Sequence, residues 1–428
     1  MVRKTLLDNG ITLVTEQIPE FRSCTLGIWA QTGSRHERED QSGLSHFLEH
    51  MLFKGTRTRN ATQIAESMDA VGGQLNAFTE KEQTCYYARV MDRHLPRALD
   101  ILSDMLLDSV FDPAELEREK GVILEEIKMY EDAPDEMVFD VFTSTVWQGH
   151  PLGRPILGSQ EVISSLTRER LLEYRDAHYQ PTRLLVSAAG HVDHDELAAR
   201  VGGWFSQNQL PPAPPLTPGG APTGEPRKAI QYRDSEQVYM CLGAQGLPVA
   251  DERRYAMLIL DSILGGSMSC RLFQEIRERR GLVYTVCTFQ NSYRDCGLFG
   301  VYAGTSAEKL DEVLRLSREI LEDVRQEGLR PEELERAREQ LKGSITLAME
   351  STSHRMIRLA RTETFHGRTI PLEEVLERLD AVRPEEVLDL ARVVLDPERF
   401  TLAVLGPVQA VDGVPATGAP RGGASRTK

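Results

Sequence analysis

The sequence predicts an α+β protein of two homologous domains, each a largely antiparallel sheet packed with helices. Three observations carry this reading. A stretch between residues 206 and 228, LPPAPPLTPGGAPTGEPRK, concentrates seven of the 22 prolines and can hold neither helix nor sheet. The segments on its two sides resemble each other. Within each side, consecutive alternating runs stand apart from long helical patterns, as antiparallel sheets with segregated helices require. At 428 residues the chain exceeds one ordinary core. The expected division is a first domain over residues 1–205, a linker over 206–228, a second domain over 229–408 and a disordered Gly-, Pro- and Ala-rich tail over 409–428.

In chain order, ITLVTEQ and CTLGIWAQTG read as strands. Leu44, Phe47, Leu48, Met51, Leu52 and Phe53 then recur with helical spacing. GGQLNAFTEKEQTCYYARV reads as a glycine turn leading into strands. HLPRALDILSDMLLDSV is a helix, apolar at i, i+3, i+4 and i+7. Pro113 opens another helix through ELEREKGVILEE, with the acidic first turn that the helix dipole favours. Beyond the linker, VYMCLGAQG and LVYTVCTFQ repeat the strand pattern and AEKLDEVLRLSREILEDVRQEG the helical one. YQPTRLLVSAAGHV matches LDPERFTLAVLGPV, FDPAELEREKGVILEEI matches LRPEELERAREQLKGSI with Pro113 over Pro331, and HFLEHMLFKGT can be laid over LILDSILGGSM. A duplicated domain is the economical explanation.

The chemistry concentrates in His46-Phe47-Leu48-Glu49-His50. On a helix, His46 and His50 project from one face, the arrangement a tetrahedral zinc ion asks of two nitrogen ligands. Glu49 lies close to that face and could take a proton from water activated by the ion. A lone histidine pair on an amphipathic helix is often merely solvated. His-x-x-Glu-His, however, is the inverted-zincin signature and calls for a carboxylate ligand downstream. Glu119 and Glu126, seven residues apart, share a helix face near the apolar Val122 and Ile123; alone, Glu126 would read as an exposed helix carboxylate. In the duplicated half, His46, Glu49 and His50 face Leu258, Asp261 and Ser262, and Glu119 and Glu126 face Ala337 and Ser344. Their joint loss from one copy marks these residues as chemistry rather than scaffold.

Composition is 40% hydrophobic and 27% charged, with no apolar run long enough to span a bilayer. The formal net charge of −15 argues against a nucleic-acid partner and for tolerance of basic substrates. The start lacks an apolar signal core, and six cysteines form no CxxC pair, so a reduced, cytoplasmic setting is expected, with no membrane partner. His191 and His194 follow a strand at a turn and receive no function.

On these motifs the chain resembles the pitrilysin and insulysin superfamily of zinc peptidases, the inverzincins. The likeness is closest to the β-type mitochondrial processing peptidases and their bacterial single-chain relatives, and runs from Leu6 to about Pro407. It implies the processing-peptidase/LuxS-like metallohydrolase fold and one Zn2+ per chain. His46, His50 and Glu126 would be ligands, Glu49 the general base and Glu119 the carboxylate behind the ligands. GGQLNAFT would be an edge strand on which Asn76, Ala77 and Phe78 bind an extended substrate; from residues alone it is only a turn and a strand. Arg277 would grip substrate carbonyls and Tyr284 would stabilise the oxyanion, where residues alone suggest a solvated arginine and a core tyrosine. Glu136 and Asp140 would receive a substrate arginine; unaided they are an acidic helix face. The glycine-rich loop of the inactive α-type partner is absent, LGGSMSCRL standing in its place.

The expected function is therefore a zinc endopeptidase acting on extended peptides or unstructured segments, with a preference for basic residues. The alternative is a non-catalytic scaffold like the core proteins of a respiratory complex, against which the intact metal residues weigh. A non-proteolytic zinc hydrolase is disfavoured by the edge-strand and Arg/Tyr matches. Family members enclose substrate between four homologous domains and this chain supplies two, so a homodimer is expected, with a heterodimer with a homologue as the other arrangement.

Overall fold

The computed structural model describes residues 1–204 and 220–417. Most of the expected linker, and residues 418–428 of the expected tail, lie outside the described residues. The chain is α+β and divides into two compact units. Among described residues the first takes 1–128, 154–204 and 346–370, and the second 129–153, 220–345 and 371–417.

In the first unit, β1 (Val2–Leu6), β2 (Thr12–Gln17), β3 (Ser23–Ala30), β4 (Gln74–Thr79), β5 (Thr84–Met91) and β6 (Leu184–Gly190) form one sheet in the order β1-β2-β6-β3-β5-β4. All neighbours are antiparallel except β2 and β6. Strand β6 can run parallel to β2 because a long helical excursion separates them. That excursion contains α1 (Leu44–Leu52), α2 (Ala61–Asp69), α3 (Leu95–Asp108) and α4 (Pro113–Glu131), then, beyond α5 (Pro134–Val146), α6 (Gln160–Ser165) and α7 (Arg168–His178); α8 (His194–Gly202) follows β6.

The second unit repeats this plan. Strands β7 (Lys228–Tyr232), β8 (Val238–Gly246), β9 (Val283–Ser292), β10 (Gly297–Thr305) and β11 (Thr401–Gly406) are ordered β7-β11-β8-β10-β9. Again one pair, β7 and β11, is parallel. Strand for strand this matches β2-β6-β3-β5-β4, as the repeated sequence requires. Its helices are α9 (Arg254–Leu264), α10 (Leu310–Glu327), α11 (Pro331–Ala348), α13 (Leu372–Ala381) and α14 (Pro384–Val394); α12 (Thr352–His366) lies between α11 and α13 in the chain.

The compact units depart from the contiguous division expected of the sequence, because each half lends one helix to the other unit. Helix α12 lies on the first sheet and α5 on the second. The reason is the second face of each sheet. Along β3, Cys24, Leu26, Ile28 and Ala30 face the main helical layer, while Trp29 joins Met356 and Leu359 of α12 on the other side. The methionine packs closely on the strand, since a Cβ at Gly27 would come within 2.5 Å of Met356 Sδ. In the second unit Val138, Val141 and Phe142 of α5 cover Leu298, Ala403 and Leu405. A sheet apolar on both faces must be covered on both.

One expectation is corrected at the C-terminus. Within the segment expected to be disordered, β12 (Ala410–Val411) and β13 (Val414–Pro415) pair as a short antiparallel ribbon. Asp412 and Gly413 both take positive φ, +50° and +77°, as a two-residue hairpin turn demands. Arg318 and Lys228 hold the Asp412 carboxylate at 2.7 and 3.3 Å.

Candidate metal centre

Helix α1 has only nine residues, too few to persist alone in water, so packing sets its position. Leu44, Phe47, Leu48 and Met51 are fully buried, each contributing roughly 1.5–3 kcal/mol. This anchoring leaves His46, Glu49 and His50 on the side facing α4 and β4. The imidazoles of His46 and His50 stand 4.6 Å apart, edge to face.

Glu126 arrives from α4. Its Oε1 lies 3.8 Å from His46 Nε2 and its Oε2 3.7 Å from His50 Nε2. These separations are too long for hydrogen bonds but near the roughly 3.4 Å edge of a tetrahedron with ~2.05 Å bonds. The ligand atoms of all three residues fall within 4.8 Å of one another, the one such cluster among the described residues. Two imidazole nitrogens and one carboxylate suit zinc and leave a fourth position open.

The surroundings sort the ring nitrogens. His50 Nδ1 is 3.2 Å from Glu119 Oε2, which fixes its proton there and turns the Nε2 lone pair toward Glu126. Glu119 is buried, and its other oxygen takes Lys54 Nζ at 2.7 Å. Among the described residues His46 Nδ1 has no hydrogen-bond partner. Burial, and then His50, push His46 down to about 4, so its imidazole is neutral at neutral pH, as a ligand must be. Burial raises Glu49 above the usual carboxylate range, with Thr79 and His50 pulling it back and Glu126 adding to the rise. Such a shift suits a group that must both take and return a proton.

Strand β4 is the sheet edge beside α1. Leu75, Ala77 and Thr79 alternate toward the helix, and the Thr79 hydroxyl donates to Glu49 Oε2 at 2.5 Å. Phe78 points the other way, against Trp29 and Tyr87, while Asn76 is exposed with its Oδ1 accepting from Ala77 N. Thr79 and Lys54 were not singled out from the sequence. Their signals were periodic: Thr79 is two residues along the strand from Ala77, and Lys54 one helical turn beyond His50.

The remaining candidates lie in the second unit. Arg277 sits in a π-helical turn, Phe273–Arg279, its guanidinium 4.7 Å from the Phe273 ring centre and 5.5 Å from that of Tyr284. Tyr284 is 76% exposed, which corrects the core position read from the residues alone. Glu136 is exposed and Asp140 half-buried, one turn apart on α5. Tyr130 donates to the Glu136 carbonyl at 3.2 Å, and burial followed by Asp140 raises its phenol.

The family described as insulinase, peptidase family M16, matches residues 12–160, and that described as peptidase M16 inactive domain matches residues 165–341. An uncharacterized zinc protease of Bacillus subtilis, YmxG, is 43% identical over 95% of this chain and 98% of its own. One from Streptomyces coelicolor is 44% identical over 95% of this chain and 90% of its own. Among solved structures, a peptidase M16 inactive domain from Pseudomonas fluorescens superposes with a TM-score of 0.86 at 19% identity, covering 95% of this chain and 98% of its own. A protease from Helicobacter pylori gives 0.85 at 19%, covering 95% and 99%. At that identity the two structures speak for the fold alone.

Proposed function

The chain belongs to the insulinase family of peptidases, family M16, and from that premise we propose a zinc-dependent endopeptidase that cleaves extended peptides or unstructured protein segments. The observation that carries the reading is the convergence of His46 Nε2, His50 Nε2 and the Glu126 carboxylate beside Glu49. The zinc-protease names of the two bacterial relatives support the choice of metal. One ion per chain, held by His46, His50 and Glu126, would supply a Lewis acid that polarises the scissile carbonyl and acidifies water. Glu49 takes the proton of the attacking water and returns it to the leaving amine nitrogen. Glu119, with Lys54, holds His50 in its tautomer. Substrate adds as a further strand along Asn76, Ala77 and Phe78 of β4, which fixes the carbonyl in place. Arg277 and Tyr284 are proposed to grip substrate carbonyls and stabilise the oxyanion, and Glu136 with Asp140 to receive an arginine side chain.

Metal analysis after dialysis, paired with cleavage of a quenched unstructured peptide, tests this. About one zinc per chain and turnover abolished by chelation are expected; stoichiometric zinc without turnover on any unstructured substrate would favour a scaffold. We place the protein in the cytoplasm, on the support of six cysteines spaced without a CxxC pair. We also propose a homodimer, and light scattering that finds a fully active monomer of 48.0 kDa would refute it.

A further inference from the structure

We infer that Glu37, outside the set of ligands and base, is the positioning residue that locks the first turn of α1, and with it His46, against the β4–β5 hairpin. The inference rests on the metal site proposed above. The two histidines are held differently. His50 is oriented by Glu119, whereas among the described residues His46 Nδ1 has no hydrogen-bond partner. The aim of His46 therefore depends on the helix that carries it, and His46 is the third residue of that helix.

Helix N-termini expose N–H groups that need acceptors, usually the side chain of the capping residue. Here the capping residue is Gly43, at φ +96°, where a Cβ would come within 2.6 Å of the Leu157 carbonyl. It has no side chain to offer. Glu37 takes over from six residues upstream: its Oε2 accepts from Gly43 N at 2.8 Å and its Oε1 from Ser45 N at 2.7 Å. The carboxylate spans the first turn as a two-pronged cap and suits the positive end of the helix dipole. Glu37 is 3% exposed, and the Ser45 hydroxyl is shared with Tyr174 Oη at 2.7 Å, so the cap has no loose partner.

The other end of the same segment is stitched to the hairpin. Ser34 N and Arg35 N donate to the carbonyls of Glu80 and Lys81 at 3.3 and 2.8 Å, and a Cβ on Gly33 would lie 2.1 Å from the Glu80 carbonyl. Arg35, 2% exposed, pairs with Glu82 at 2.6 Å. Lys81 donates to the Arg154 carbonyl, and Arg154 donates to the Glu37 carbonyl. Residues 33–37 thus run from the turn of the substrate hairpin to the start of the ligand helix, while Thr79 joins the same hairpin to Glu49.

The test uses the full-length protein loaded with cobalt in place of zinc, read by chelator competition and by its visible absorption. Glu37→Gln, which sets an NH2 donor where one of the two N–H groups now meets an oxygen, should weaken metal binding by about tenfold, as loss of a supporting contact behind a ligand does, and change the cobalt bands. It should also lower kcat with KM held. Ser187→Ala removes a buried hydrogen bond to Trp29 elsewhere in the unit and should lower the thermal midpoint without touching either metal readout. Should Glu37→Gln not fold, Arg154→Met frees the Glu37 backbone and is expected to shift metal affinity in the same direction, by about threefold. Native affinity and native cobalt bands in whichever of these two variants folds would overturn the inference. Wild-type protein that takes up no stoichiometric cobalt would instead sink the metal-site reading on which it rests.

Discussion

In the first unit, α1 presents His46, Glu49 and His50 to α4, and imidazoles face the carboxylates of Glu119 and Glu126 at 3.2 to 3.8 Å. In the second, the matching positions of α9 are Leu258, Asp261 and Ser262, and Ser262 reaches α11. There Ser262 Oγ donates to Gln340 Oε1 at 2.6 Å, Leu258 packs on the core and Ala337 is buried. A neutral hydrogen bond and apolar contacts thus stand where the first copy sets two imidazoles against two carboxylates. One relation survives in both. Glu49 receives the Thr79 hydroxyl at its carboxylate from edge strand β4; burial raises Asp261, and the Thr288 hydroxyl of edge strand β9 donates to the Asp261 backbone carbonyl at 3.2 Å. A buried acid beside an edge-strand threonine therefore recurs in both copies, reached at its carboxylate in the first and at its backbone carbonyl in the second, while the candidate ligands stand in the first alone.

The largest effect expected from this comparison is on the acid with ligands beside it. Glu49→Gln should lower kcat by about 10²–10⁴ with metal content unchanged, because the ligands stay while the proton acceptor is gone. Unchanged hydrolysis would end the assignment of Glu49 as base and make the shared acid a purely structural inheritance. Next come the ligands themselves. His50→Ala or Glu126→Ala leaves two donors of three, and metal content after dialysis should fall well below one per chain. Retention of full metal by either variant would mean that the ion sits elsewhere.

Much of this difference was legible in the sequence, because the repeat carries its own control. Pro113 over Pro331 and the strand pairs located two copies, and the copy without histidines pointed to the copy with them. Helix exchange was not legible. The apolar stripe of α5, Val138, Val141 and Phe142, would serve equally well against either sheet, and only tertiary contact decides. Residues that act through another were also missed. The spacing that places Lys54 and Thr79 does not name their partners, 30 to 65 residues away, and Glu37 sits on a loop where nothing periodic marks it and is defined by the backbone of a helix. The Asp412-Gly413 turn was visible as a dipeptide, but the flanking strands are two residues long and carry no alternation.

The exchanged helices extend the comparison to specificity. Glu136 and Asp140 are the third and seventh residues of α5; His354 and Arg358 hold those places in α12. If the acidic pair receives a substrate arginine, peptides with Arg two residues before the cleaved bond should be preferred. Glu136→Gln/Asp140→Asn should erase about tenfold of that preference, the worth of a hydrogen bond to a charged group, and leave neutral peptides unaffected. Cleavage-site profiling without any basic preference would reduce the pair to a solvated helix face.

The smallest expected effect separates the two acids most cleanly. Asp261 keeps the place of Glu49 without its ligands, and among the described residues its Oδ1 has no hydrogen-bond partner. Burial raises its carboxyl above the ordinary value, so the folded protein holds a proton that the unfolded chain gives up. The sign follows: from about pH 4 upward the unfolded state binds fewer protons, and stability declines with rising pH until the folded carboxyl also ionises. Asp261→Asn removes that slope. The variant should match the wild type at low pH and equal or exceed it by up to about 1 kcal/mol at neutral pH, with peptidase activity untouched. Denaturant titrations at pH 4 and pH 7 read both limbs. A loss of more than about 1 kcal/mol at pH 7 would mean that ionised Asp261 has work of its own in the second copy, and the division between inherited acid and added ligands would fail.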